Sequence, residues 1–384
     1  MAGRIVLLGA TGYTGTLTAH SMVAKGLRPI LAGRNAEALG ALQADLVAAT
    51  KPGRGRRRRD IEPLETAFAD VSDQDSVSAL VDEGDVLVTT VGPFAHLGTA
   101  ALEAAITRGA HYIDSTGEPS FLREVFEEWS PRAEAAGIAL LPAFGYDYVP
   151  GNLVGAMALE RAKETGTKVT RLDVLYAVRG SLKTSGGTAA SAAGMVVERG
   201  MAFRGGRLVE ERPGVRTWAA RHDDHSWQGL SVGATEHWTM PRLNADLLDI
   251  SVYLGWAAGR TEQAAKAAAV ADAVSRLPGA KSTWNFIARR VVPGSTGGPD
   301  ATERAKARTL AIAEARTLRG QVVSHVAVEG PSPYDLTAEI LTWAAQEVIA
   351  GKLRDTGALG IVDAFGYEEA VKGCAELGLA EVSD

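Results

Sequence analysis

Apolar and polar positions along residues 1–150 fall into blocks whose period switches between that of a buried strand and that of a helix. Ile5-Val6-Leu7-Leu8 is an unbroken apolar run, the pattern of a strand buried on both faces, and an apolar-periodic helix follows it. Further strands are predicted over 28–32, 66–69, 85–90, 111–114 and 138–142, with helices over 36–49, 98–108 and 120–136. Strand and helix take turns throughout. This order predicts an α/β fold opening with a Rossmann-type, doubly wound parallel sheet.

Beyond residue 150 the rhythm changes. A helix is predicted over 152–163, then a strand over 170–178 with Leu172, Val174, Tyr176 and Val178 on one face. A small-residue helix over 189–197, a hairpin strand from Gly205-Gly206, strands over 234–240 and 248–254 and a helix over 264–277 come next. Segments 309–315 and 322–329 read as a hairpin turning near Arg319-Gly320. A long helix over 335–349, an extended stretch at 360–362 and a helix over 368–377 end the chain. The expected organisation is a Rossmann domain over 1–150, an α+β substrate or dimerisation domain over 151–330, and C-terminal helices over 331–384 that pack back on the first domain.

The first strand runs into Gly9-Ala10-Thr11-Gly12-Tyr13-Thr14-Gly15. Glycines between a strand and a helix bring backbone N–H groups and a positive helix end against phosphate. Gly9 suits the tight turn, Gly12 the approach of a pyrophosphate, and Gly15 close packing of helix on strand. NAD-binding units place an acid about 20 residues further on for the ribose hydroxyl. Here the second strand ends in Gly33-Arg34-Asn35, and a guanidinium suits the 2′-phosphate of NADP. Asp70 is expected beside the adenine, and Val91, Gly92, Pro93 and Phe94 beside the inner ribose and nicotinamide. NADP is the expected cofactor.

Composition narrows the rest. The 384 residues carry a net charge of −6, which gives no reason to expect nucleic acid. One cysteine, Cys374, excludes an internal disulfide framework, and His222, His225 and His237 lack metal-ligand spacing, so no metal is expected. Apolar stretches fall short of the roughly 20 residues that span a bilayer, and the first strand leaves no room for a leader. A cytoplasmic protein is expected. The arginine run 54–59 reads as a solvated loop.

Several motifs resemble one family. Gly9 to Gly15, Gly92-Pro93-Phe94, His111-Tyr112-Ile113-Asp114-Ser115-Thr116-Gly117-Glu118 and Gly145-Tyr146-Asp147-Tyr148-Val149-Pro150 look like those of the saccharopine dehydrogenase-like oxidoreductases. Ser185-Gly186-Gly187-Thr188 and the stretch from Gly330 to Ala338 fit as well, with the trans-acting enoyl reductases of lipid and polyketide pathways as the nearest resemblance. Two features depart from it: the arginine-rich insertion, and Tyr148, where relatives often carry serine. The resemblance implies an NADP-binding Rossmann domain followed by a substrate domain.

Ligands in such sheets bind beyond the carboxyl ends of the strands. That places Phe94, Gly117, Glu118, Tyr146, Asp147 and Tyr148 on one rim, with Lys183, Ser185 and Thr188 closing over it. Tyr146 or Tyr148 is a candidate proton donor oriented by Asp147, and Lys183 a candidate oxyanion partner. Tyrosines packing in the turn and carboxylates at helix starts are the alternative readings of the same residues. Reduction of a carbon–carbon double bond conjugated to a carbonyl is expected, because segment 181–197 is dominated by Ala, Gly, Met and Val. Imine reduction, with Arg179 or Arg204 clamping carboxylates, is the rival, and a non-catalytic NADP sensor a third reading. The partner is a small molecule, carrier-bound or free, and a homo-oligomer is compatible with the sequence.

Overall fold

The structure, a computed structural model, describes residues 3–50, 62–180, 183–185, 198–255, 269 and 297–383. β1 (Ile5–Leu8) leads into α1 (Tyr13–Ala24), β2 (Ile30–Gly33) into α2 (Ala36–Ala49), and β3 (Thr66–Phe68) into α3 (Gln74–Ser78). After β4 (Val86–Thr89) come a single turn, α4 (Phe94–Leu97), and α5 (Thr99–Arg108). β5 (His111–Asp114) precedes α6 (Pro119–Glu124) and α7 (Ser130–Ala136), joined through a π-helical turn at Val125–Trp129. β6 (Ala139–Leu141) and α8 (Val149–Glu164) follow. These strands pair in parallel in the order β6-β5-β4-β1-β2-β3. β1, β2 and β4 are buried at every position, which is why their sequences are apolar without alternation. The strand order reverses between β1 and β4, so a crevice opens at their carboxyl ends.

β7 (Arg171–Gly180) begins a second, mixed sheet. Its other members are the hairpin β8 (Gly200–Arg204) and β9 (Arg207–Glu211), the hairpin β10 (Thr217–His222) and β11 (His225–Val232), and, after α9 (Glu236–Leu243), β12 (Asp249–Gly255). The one-turn helix α10 (Ala301–Arg304) leads to a long hairpin, β13 (Ala307–Arg316) and β14 (Val322–Gly330). The chain then forms α11 (Pro333–Ile349), β15 (Gly357–Ala358), α12 (Ile361–Phe365), α13 (Tyr367–Glu376) and β16 (Ala380–Val382). The order is β10-β11-β12-β7-β13-β14-β16, with β8 beside β12 and β9 beside β8. β15 adds a seventh parallel strand to the first sheet, against β6. α11 lies on α1, β4 and β5, while α8 lies on β7, β13 and β14.

Two elements differ from expectation. Segment 234–240 is not a strand: α9 occupies Glu236–Leu243. Its residues from Glu236 to Met240 are all buried, so no one-sided stripe exposes the helical period. The extended stretch at 360–362 is the start of α12, where the Gly360 N–H donates to the Asp363 carboxylate at 3.2 Å. The β10–β11 hairpin and β16 were not anticipated. The predicted helices at 189–197 and 264–277, and the arginine run 54–59, lie outside the described residues.

Candidate functional site

At the carboxyl end of β1 the chain turns through Gly9, whose φ of 83° is left-handed. Gly15 answers to crowding: a Cβ there would stand 2.1 Å from the Gly9 carbonyl oxygen. The N–H groups of Gly9 and Ala10 donate to the Ala32 carbonyl at 2.9 and 3.2 Å, fixing the loop to β2. Gly12 precedes α1 with no side-chain cap, and the first turn of α1 holds no acid. Thr11 and Thr14 flank that start. The orphan N–H groups and positive end of α1 are thus presented to an anion.

The Tyr13 side chain leaves the loop for the second half of the chain. Its hydroxyl donates to the Pro299 carbonyl and accepts from Arg304 Nη1 at 3.2 Å, and its ring meets Tyr334 edge-on at 5.1 Å.

On the side expected to take the adenosine, Arg34 follows β2 and is exposed. The Asn35 side chain caps α2, accepting from the Ala38 N–H at 3.0 Å. Asp70 accepts from the Ser72 N–H at 2.9 Å and the Ser72 hydroxyl at 2.7 Å. Those bonds hold its carboxyl below the usual range, with the charge of Arg34 adding to the effect. Arg34 and Asp70 therefore share one edge of the crevice.

The loop after β4 is fastened from both sides. Thr90 Oγ1 donates to the Gly9 carbonyl at 3.2 Å, tying Val91 and its neighbours to the glycine loop. The Gly92–Pro93 peptide is cis. Glu118, 4% exposed, accepts from the N–H groups of Phe94 and Ala95, both at 2.9 Å. Its carboxylate holds the turn that is expected from the sequence to lie beside the nicotinamide. Asp114, given no role by the sequence, is fully buried and accepts from the Thr116 and Ala143 N–H groups and the Tyr112 hydroxyl. Burial pushes its carboxyl up to about 6, and its bonds join the 114–118 turn to the 143–148 turn.

Tyr146, Asp147 and Tyr148 point to different ends. Asp147 lies against Gly117: a Cβ at 117 would come 2.9 Å from its carboxylate oxygen. The side chain is half-buried, no described residue donates a hydrogen bond to the carboxylate, and burial raises its pKa to about 7. Tyr146, also half-buried, is held through its N–H, which donates to Thr337 Oγ1 at 3.0 Å. Tyr148 is 1% exposed and donates its hydroxyl to the Gly233 carbonyl at 3.1 Å. Both tyrosine rings meet Tyr176 edge-on at 5.7 Å. Tyr176 in turn lies 2.6 Å from Glu236, a fully buried carboxyl at the start of α9 whose pKa burial pushes up to about 7. Glu236 carries no sequence signal for this role, because its partner Tyr176 lies 60 residues away.

The second half contributes less to this rim than expected. The Lys183 side chain is 77% exposed and pairs with Glu303, so its charge sits at the surface beside α10. Ser185 is buried, its N–H donating to the Tyr334 hydroxyl at 2.6 Å. Thr188 lies outside the described residues. Burial pushes the His237 imidazole down to about 3, and no group of three or more metal-ligating side chains occurs among the described residues.

Residues 5–141 match the family described as the saccharopine dehydrogenase NADP binding domain. Over 165 residues the chain is 33% identical to a trans-acting enoyl reductase of Mycobacterium bovis, covering 42% of this chain and 37% of that protein. The chain therefore matches well under half the length of that curated relative. Saccharopine dehydrogenase (L-Glu forming) of Saccharomyces cerevisiae superposes with a TM-score of 0.63 over 99% of both chains, at 10% identity. Homospermidine synthase of Legionella pneumophila, in complex with NAD, gives 0.61 over 100% of this chain and 92% of its own, at 10% identity. These superpositions extend the shared fold across both sheets. The glycine cradle and the uncapped start of α1 fit the pyrophosphate of a dinucleotide. Residues 5–141 therefore form an NADP-binding domain of the saccharopine dehydrogenase type, and the chain as a whole shares the fold of the saccharopine dehydrogenase structure.

Proposed function

We propose that the protein is an NADPH-dependent reductase that saturates a carbon–carbon double bond conjugated to a carbonyl, on an apolar acyl or polyketide-like substrate held on a carrier. The observation that carries the reading is Asp147, a carboxyl to which no described residue donates a hydrogen bond and whose pKa burial raises to about 7. Its neighbour Tyr146 is tied to the glycine loop through α11. Tyr334 meets Tyr13 of that loop and Thr337 holds Tyr146, and these two residues lie about one turn apart on α11.

NADPH held by the glycine loop and Arg34 would supply a hydride for the carbon β to the carbonyl, leaving the electron pair of the double bond at the α carbon to be protonated. Asp147, protonated in part at neutral pH, gives its proton to the α carbon and completes the saturated product. Glu118 fixes the turn below the nicotinamide site through two backbone N–H groups. Tyr148, with its hydroxyl spent on Gly233, walls the site rather than donating to it.

The rival imine reaction needs cationic clamps for carboxylates. Arg179 pairs with Asp223 and Glu329, both at 2.6 Å, and Arg204 with Glu211 at 2.8 Å. Both arginines are neutralised by this chain's own acids, which favours the enoyl reading. The name of the Mycobacterium bovis relative supports it too. The test offers NADPH with an α,β-unsaturated thioester, and separately with an amino acid plus an oxo acid. Saturated thioester from the first mixture alone supports the proposal; turnover of the second alone defeats it.

A further inference from the structure

We propose that Arg304, from outside the N-terminal domain, is a contact for the pyrophosphate of the dinucleotide; the inference rests on the NADP-binding assignment. The glycine loop and first turn of α1, residues 9–16, contain no lysine or arginine. A helix end contributes only about half a charge, against the two negative charges of a pyrophosphate. The cation fastened to this loop is Arg304.

Its Nη1 donates to the Tyr13 hydroxyl at 3.2 Å and to the Pro299 carbonyl at 3.0 Å, and its Nε donates to Asp335 at 2.7 Å. Its Nη2 makes no hydrogen bond among the described residues, and the side chain is 15% exposed. Tyr13 is the first residue of α1, directly after Gly12. The guanidinium is therefore held one tyrosine side chain and one hydrogen bond from the uncapped helix start. Asp335 is held in its turn by Ser332, whose hydroxyl donates to it at 2.6 Å. Apolar contacts already close this seam, because Tyr13 meets Tyr334 edge-on and Gly298 lies flat against its ring, where a Cβ would stand 2.6 Å away. A half-buried charge adds what those contacts lack, a fork for phosphate oxygens.

The test is fluorescence titration of the full-length protein with NADPH and with NADH, in the wild type, Arg304→Gln and Asp335→Asn. Arg304→Gln should weaken both coenzymes by about tenfold or more, the loss of one charge-assisted contact. Asp335→Asn keeps the cation and breaks the same ion pair, and should leave both affinities unchanged or tighter. Equal weakening by the two substitutions would reduce Arg304 to a clasp between the halves and overturn the proposal. No weakening by Arg304→Gln, or weakening of NADPH alone, overturns it as well. If Arg304→Gln unfolds, judged by its thermal midpoint without ligand, Arg304→Lys is titrated instead. It should lose affinity for both coenzymes by less than tenfold, and an unchanged affinity counts against the contact. A wild type that binds neither coenzyme would defeat the NADP assignment itself, which separates the two failures.

Discussion

The Tyr176 hydroxyl and the Glu236 carboxyl stand 2.6 Å apart with a single hydroxyl proton and two acceptors to serve, because the Tyr148 carbonyl lies 2.9 Å from the same hydroxyl. The Gly151 N–H donates to Tyr176 as well, at 2.8 Å. The arrangement is fully satisfied when Glu236 is protonated and donates to Tyr176, which then donates to Tyr148. Burial of Glu236, which raises its pKa to about 7, points the same way.

That protonation gives a stability prediction. From pH 4.5 upward an unfolded Glu236 ionises while the folded one keeps its proton until about pH 7. The folded state then binds more protons, so stability falls as pH rises through this window. Glu236→Gln should remove about one proton's worth of that fall while leaving the low-pH stability near wild type. Chemical unfolding across the window measures it; an unchanged pH slope would mean that Glu236 is ionised in the folded protein.

As the proposed proton donor, Asp147 should set the pH dependence of turnover. A proton donor with a pKa of about 7 is active below that pH, so kcat should fall as pH rises through it. Asp147→Asn should lower kcat by about 10²-fold or more and abolish the alkaline limb, with NADPH affinity kept. A variant that retains both the rate and the limb assigns the proton to another group.

Tyr148→Phe removes a hydroxyl bonded to the Gly233 carbonyl. It should cost roughly 1 kcal/mol of stability and leave kcat within a few-fold of wild type. Tyr146→Phe serves as the comparison, since its hydroxyl makes no hydrogen bond among the described residues. A large loss of kcat in Tyr148→Phe with stability unchanged would restore that residue as the donor.

Arg34→Ala should raise the NADPH KM by about tenfold or more and leave the NADH KM nearly unchanged, because only the 2′-phosphate is lost as a partner. Steady-state assays with both coenzymes decide this. Equal losses would remove Arg34 from the 2′-phosphate site.

The first sheet was legible because its signals are local: unbroken apolar runs for β1 and β4, a glycine loop between them, and Asn35 capping α2. Three kinds of feature were not. α9 is buried from Glu236 to Met240, so that stretch shows no periodic stripe. β15 gives only Gly357 and Ala358 to pair with β6, and two residues carry no strand pattern. Glu236 and Asp114 owe their raised pKa values to burial, a property of the assembled chain. Tyr146, Asp147 and Tyr148 were singled out together, but consecutive positions do not tell which is solvent-reachable and which is spent on a carbonyl. Arg304 stands 291 residues from Tyr13, beyond any sequence window.

The central claim is hydride delivery to an electron-poor alkene carbon, and isotope transfer tests it most directly. The protein is supplied with NADPH carrying deuterium on the transferable position at nicotinamide C4, together with an α,β-unsaturated thioester, and the product is examined by NMR. The account predicts a saturated thioester with one deuterium at the β carbon and a solvent-derived proton at the α carbon. Deuterium at the carbonyl carbon, or no transfer to this substrate while an imine formed from an amino acid and an oxo acid acquires it, would contradict the account.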